Sequence, residues 1–132
     1  MKSTDVTTEI KRLCGKTTLL ENGWNHFVYR DIHYVYIPDE ANGMIRISVP
    51  HVVNRNDYEK DIIDAAVNET NREVKFIKAM VLDNGSITLN YDHRIADGEK
   101  AEEIVPHIIQ VLYAAAVYLT EKVKNRMECG YI

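Results

Sequence analysis

The stretch that most constrains this 132-residue chain is Asp83-Asn84-Gly85-Ser86, which separates two segments of alternating apolar and polar residues. Asn-Gly readily adopts the two positive φ angles of a type I′ turn, whose twist matches that of paired antiparallel strands. The expected hairpin joins 74–82 to 86–95, with Asp83 opposite Ser86, Leu82 opposite Ile87, Met80 opposite Leu89, Lys78 opposite Tyr91 and Phe76 opposite His93. Ile87, Leu89, Tyr91, His93 and Ile95 then point inward, and Thr88, Asn90, Asp92 and Arg94 outward. Such a one-sided strand belongs to an antiparallel sheet with a covering layer.

Helical periodicities supply that layer. Asp5 can cap a helix bearing Val6, Ile10, Leu13 and Cys14 on one face and ending near Gly15. Asn56 and Glu59 have capping-box spacing for a helix over 57–71, with Tyr58, Ile62, Ile63, Ala66, Val67 and Thr70 on its apolar face. Asp97-Gly98 opens a last helix over 99–127, with Glu99, Glu102 and Glu103 at its positive end and Lys122, Lys124 and Arg126 at its negative end. Pro106 predicts a kink there. This helix has an apolar arc wider than one sheet contact requires, so something besides the sheet is expected to cover it. Between Trp24 and Val53 the chain is rich in Tyr, Val, Ile and Phe, with turn material at Arg30-Asp31 and at 38–43, which predicts meander strands near 24–30, 32–37 and 44–50. The reading is one α+β domain over 1–132: an antiparallel sheet of about five strands with helices packed on it, ordered α-β-β-β-α-β-β-α.

Charge and composition narrow the function classes. Sixteen Lys and Arg against twenty Asp and Glu give a net charge of −4 with the signs interspersed, so no nucleic-acid partner is expected. Charges interrupt the first residues before a signal-peptide core forms, and no stretch reaches the roughly 18 apolar residues of a membrane span. The expectation is a cytoplasmic protein without membrane contact. Cys14 and Cys129 read as free thiols, with a bridge between them as the alternative.

No residue cluster carries an evident reaction. Alternation sends His93 to the face opposite Asp92 and Arg94, so the three cannot converge, and a core histidine stacked on Phe76 is expected instead. His26 and His33 share one face of the first hairpin on a diagonal, with no third ligand, so no metal site is assigned. Cys14 reads as a small buried hydrophobe. The glycines form no phosphate-binding motif, and no cofactor is expected. Asn68 and Asn71 are expected to cap their helix end and to bond the backbone that follows. The chain is read as a non-enzyme.

Asn68 and Asn71, then Phe76 and Lys78, then Asp83-Asn84-Gly85 form a spacing that resembles the bacterial YbjN-like family of sensory-transduction regulators. That family shares its fold with the type III secretion chaperones. The likeness is best over 58–95, and elsewhere it lies in element order and length. The resemblance implies an α+β domain, usually dimeric, that binds other proteins and catalyses nothing.

The first hairpin is apolar on both sides. Turning at Arg30-Asp31, it sets Asn25, Phe27 and Tyr29 beside Tyr36, Tyr34 and Ile32 on one face, and Trp24, His26 and Val28 beside Ile37, Val35 and His33 on the other. A partner subunit, a bound peptide or the chain's own helices must cover the second face. The expected dimer or partner surface comprises the aromatic face, Phe27, Tyr29, Tyr34 and Tyr36, with Ala115 and Leu119 of the last helix. The functional expectation is a dimeric, chaperone-like or regulatory protein-binding module. The alternative is a small-ligand domain or small enzyme using a pocket lined by the tyrosines and by His26 and His33.

Overall fold

Helix α1 (Ser3–Cys14) leads into four strands, β1 (Thr18–Leu19), β2 (Asn25–Tyr29), β3 (Ile32–Asp39) and β4 (Met44–Val49). Helix α2 (Lys60–Glu73), strands β5 (Ile77–Val81) and β6 (Ile87–Arg94) and helix α3 (Ala101–Cys129) complete the chain. This computed structural model describes the backbone of residues 1–129 and the side chains of residues 1–127. The strands form one antiparallel sheet in the order β1-β2-β3-β4-β6-β5. The expected α+β architecture and element order hold, with six strands rather than about five. The added strand, β1, is a two-residue exposed piece beside β2 with no periodicity to announce it.

The first hairpin follows the expected register, with Tyr29 opposite Ile32, Phe27 opposite Tyr34 and Asn25 opposite Tyr36. Its turn residues Arg30 and Asp31 both adopt positive φ, 49° and 66°, the type I′ pattern without a glycine. The Arg30 guanidinium lies over the rings of Tyr29 and Tyr113, 5.3 Å from each centroid, which holds this turn against α3.

The second hairpin departs from expectation by one residue. Val81 pairs with Ile87 and Ala79 with Leu89, and Leu82 and Ser86 close a three-residue loop through Leu82 N–H to Ser86 C=O at 2.9 Å. Only Gly85 in that loop has a positive φ, 91°. This is the loop form in which a turn is completed by one left-handed glycine, rather than the two-residue type I′ form. Neighbouring groups hold it: Asn84 Oδ1 accepts the Ser86 N–H, Gly85 C=O accepts the Arg55 N–H, and Asp83 C=O accepts from the Arg55 guanidinium. A one-residue slip exchanges the two faces of a strand. Ile77 and Ala79 are therefore core residues, whereas Phe76 and Met80, expected inward, are exposed. Strand β6 keeps its expected inward residues Ile87, Leu89 and Tyr91.

Helix boundaries shift for local reasons. Helix α1 begins before Asp5, whose carboxylate accepts the Lys2 N–H at 2.7 Å from inside the first turn. Asn56 belongs to a 3₁₀ turn, Arg55–Asp57, and its N–H is bonded by Asn54 Oδ1 at 2.8 Å, so α2 starts after it, at Lys60. Helix α3 continues through Pro106 as one helix. Its wide buried arc, which includes Val105, Ile108, Ile109, Leu112, Ala115, Ala116, Leu119 and Val123, is explained by three neighbours: the sheet, α1 and α2. By length and composition α3 would suffice to cross a membrane, yet here it is the central core helix.

Candidate functional site: the uncovered sheet face

Pleating divides the sheet into two unlike faces. One cross-strand row, Tyr36, Ile47, Tyr91 and Ile77, is buried under the helices. The adjacent row on the other face runs Thr18, His26, Val35, Ser48, Asn90 and Lys78. No helix among the described residues covers this second row.

The residues assigned in advance to a partner surface fall on the covered side. Phe27, Tyr34, Tyr36, Ala115 and Leu119 are all buried within the chain, and only Tyr29 is half-exposed. That assignment is corrected for a physical reason: α1 and α3 lie on the tyrosine face. Tyr36 donates to Ser3 Oγ of α1 at 3.3 Å, and the Tyr29 ring meets Tyr113 of α3 edge-on. The Tyr34 hydroxyl is buried without a hydrogen-bond partner, and burial drives its pKa well above the usual phenol value.

The uncovered face is amphipathic. Trp24 is 37% exposed, Val28 40% and Met80 38%, while Val35, Ser48 and Thr88 are shielded by their neighbours. Polar pairs cross its centre: Ser48 Oγ donates to Asn90 Oδ1 at 2.5 Å, and Arg46 grips Asp92 with two hydrogen bonds at 2.6 and 2.9 Å. Toward the β2–β3 turn, His26 Nε2 and His33 Nδ1 lie 2.8 Å apart, on the expected diagonal. The pattern that could have located this face was present in the sequence, as the second apolar side of the first hairpin.

The remaining candidates separate. His93 bonds Glu99 Oε1 at 2.9 Å, not Phe76, which stacks on Tyr91. Glu99 also accepts the Ala96 N–H at 2.5 Å, and these two bonds hold its carboxyl below the usual carboxylate range. The pair ties β6 to the start of α3, and Asp92 points away to Arg46. Burial pushes the Cys14 thiol up, which disfavours the reactive thiolate. The side chain of Cys129 lies outside the described residues, and with it the alternative of a bridge to Cys14. A cavity of about 390 Å³ opens between the start of β3 and the second half of α3, lined by His33, His51, Ile32 and Thr120 among others but by none of the first hairpin's tyrosines. Asn71 does bond the backbone that follows its helix, at Ala79.

No family model matches the chain, and no curated protein is similar to it in sequence. Solved structures do resemble it. The ExsC-ExsE complex matches at TM-score 0.60 and 14% identity over 85% of this chain and 91% of that one. The HopA1-SchA chaperone-effector complex matches at TM-score 0.60 and 9% identity over 92% of each chain. YbjN from E. coli matches at TM-score 0.65 and 13% identity over 96% of this chain and 94% of that one. The fold described above is thus one that the chain shares with YbjN and the type III secretion chaperones.

Proposed function

We propose that this protein is a non-enzymatic, cytoplasmic binding module that acts as a homodimer and holds a segment of another protein, in the manner of a chaperone or regulator. The observation that carries the reading is the uncovered sheet face, where Trp24, Val28 and Met80 are more than a third exposed around a shielded centre of Val35, Ser48 and Thr88. Trp24 and Val28 stand at β2 and Met80 in β5, with three strands between them, so the face offers two separate apolar anchors to another macromolecule. Two of the similar structures are complexes, one of them of a chaperone with its effector, which supports a protein as the occupant. Among the described residues His93, Asp92 and Cys14 face different surroundings and do not converge, which also supports this reading.

The test places a photo-crosslinking residue at Val28 and, as a control, at Gln110 on the exposed side of α3, in the cell of origin. The expected result is a defined adduct from Val28 that Trp24→Ser weakens and Gln110 does not form. Equal labelling from both positions, or none from Val28, overturns the proposal.

A further inference from the structure

The geometry points to a metal site that the binding role does not require: we propose that His26 and His33 together chelate one square-planar divalent ion, Cu(II) foremost. The two histidines come from neighbouring strands, His26 opposite Val35 and His33 opposite Val28, so the sheet itself sets their spacing. Their rings lie 5.1 Å apart between centroids at an interplanar angle of 27°. The facing nitrogens, Nε2 of His26 and Nδ1 of His33, are 2.8 Å apart.

That separation is the length of an N–H···N hydrogen bond; it places two imidazole nitrogens within reach of one ion but does not select the metal. The ligand set does: among the described residues no third His, Cys or carboxylate stands with the pair, which disfavours Zn(II), a metal that takes three or four protein ligands. Tetragonal nitrogen sites are those of Cu(II) and Ni(II), and Cu(II) is the tighter of the two on the usual affinity order.

The proton accounting is simple. In the metal-free pair, one facing nitrogen carries the hydrogen that bridges to the other. Chelation needs both facing nitrogens bare, so that hydrogen moves to the outer nitrogen of its own ring. His26 is then protonated at Nδ1 and His33 at Nε2, both rings stay neutral, and no electron is transferred. Both rings must rotate to turn these nitrogens, which face each other in the hydrogen bond, toward the ion. His33 is exposed and His26 half-buried, so water can reach an ion held between them.

The test is titration of the full chain with Cu(II) against a competing chelator, with electron paramagnetic resonance of the bound ion. The expected spectrum is axial with coupling to two imidazole nitrogens. Either His26→Gln or His33→Gln is expected to weaken binding about a hundredfold, because each removes the intramolecular second contact. His51→Gln, which alters a nearby histidine outside the pair, is expected to change nothing. A one-nitrogen spectrum, or affinity unchanged in both pair variants, overturns the site. If a variant folds poorly by circular dichroism, nuclear magnetic resonance of the unaltered chain decides. Trace Cu(II) must broaden the ring signals of His26 and His33 ahead of those of His51, His93 and His107, and any other order rejects the proposal.

Discussion

The side-chain amide of Asn71 pairs with both backbone groups of Ala79, donating from Nδ2 to its carbonyl at 3.1 Å and accepting its N–H on Oδ1 at 2.6 Å. Ala79 lies in β5, an edge strand of the sheet. Asn71 thereby occupies, from α2, the hydrogen-bonding positions that an additional strand would use. Asn71→Ala is expected to cost about 1–2 kcal/mol, from two lost hydrogen bonds, and to promote self-association along β5. Urea denaturation with light scattering checks both effects; an unchanged midpoint argues that water replaces the amide without loss.

Gly85 is constrained twice. Its φ is 91°, and a Cβ there would come within 2.8 Å of Asn54 Oδ1, the atom that accepts the Asn56 N–H. Gly85→Ala is expected to destabilise by about 1–2 kcal/mol, and Gly85→Val by more, because the left-handed conformation disfavours any Cβ and a branched one most. Thermal melts of the two variants measure the ordering.

The tyrosine face supplies a prediction that separates core from surface. Leu119 is fully buried, so Leu119→Asp places a carboxylate in an apolar interior and is expected to unfold the chain rather than dissociate a dimer. Val28→Asp, on the uncovered face, is expected to keep the fold and alter only association. Circular dichroism and light scattering, read against the monomer mass of 15.2 kDa, distinguish the outcomes.

Tyr34→Phe removes a buried hydroxyl that has no partner. Deleting an unsatisfied polar atom while keeping the ring is expected to be neutral or to stabilise by about 1 kcal/mol. A lowered urea midpoint would show that the hydroxyl is bonded in solution.

The Glu99 carboxyl is held below its ordinary range by the Ala96 N–H and by His93. A carboxyl depressed on folding adds stability above its unfolded pKa, about 4.3, and that contribution fades as the pH falls through the lower folded value. Glu99→Gln is expected to be less stable than the parent at pH 7, with the gap closing toward pH 3. Melts across that range test the sign.

The first hairpin was legible because alternation and a two-residue turn agreed, and each of Phe27, Tyr34 and Tyr36 met its expected strand partner. What the strands alone could not show was which of two apolar sides the helices would take. That choice depends on where α1 and α3 lie, through contacts such as Ser3 with Tyr36 and Tyr113 with Tyr29. The second hairpin misled by a single residue because Asn-Gly serves both two-residue and three-residue loops. Contacts from Arg55 and Asn84 support the longer one here. The proximity of His93 to Glu99 depended on the conformation of the connection after β6, where no periodic pattern operates.

Within the sheet, neighbouring strands are also neighbours in sequence everywhere except at β4 and β6, which are separated by α2 and β5. Both hairpins can close early, each from a short loop, but the joint of Ile47 with Tyr91 must wait for a closure spanning some forty residues. That joint is expected to set the folding rate. Substitutions along it, such as Ile47→Val, should slow folding, while trimming the β2–β3 hairpin should mainly speed unfolding. A chain cut between β4 and α2 would accordingly become two fragments whose reassembly depends on concentration, making visible as a bimolecular rate what the intact molecule performs on itself.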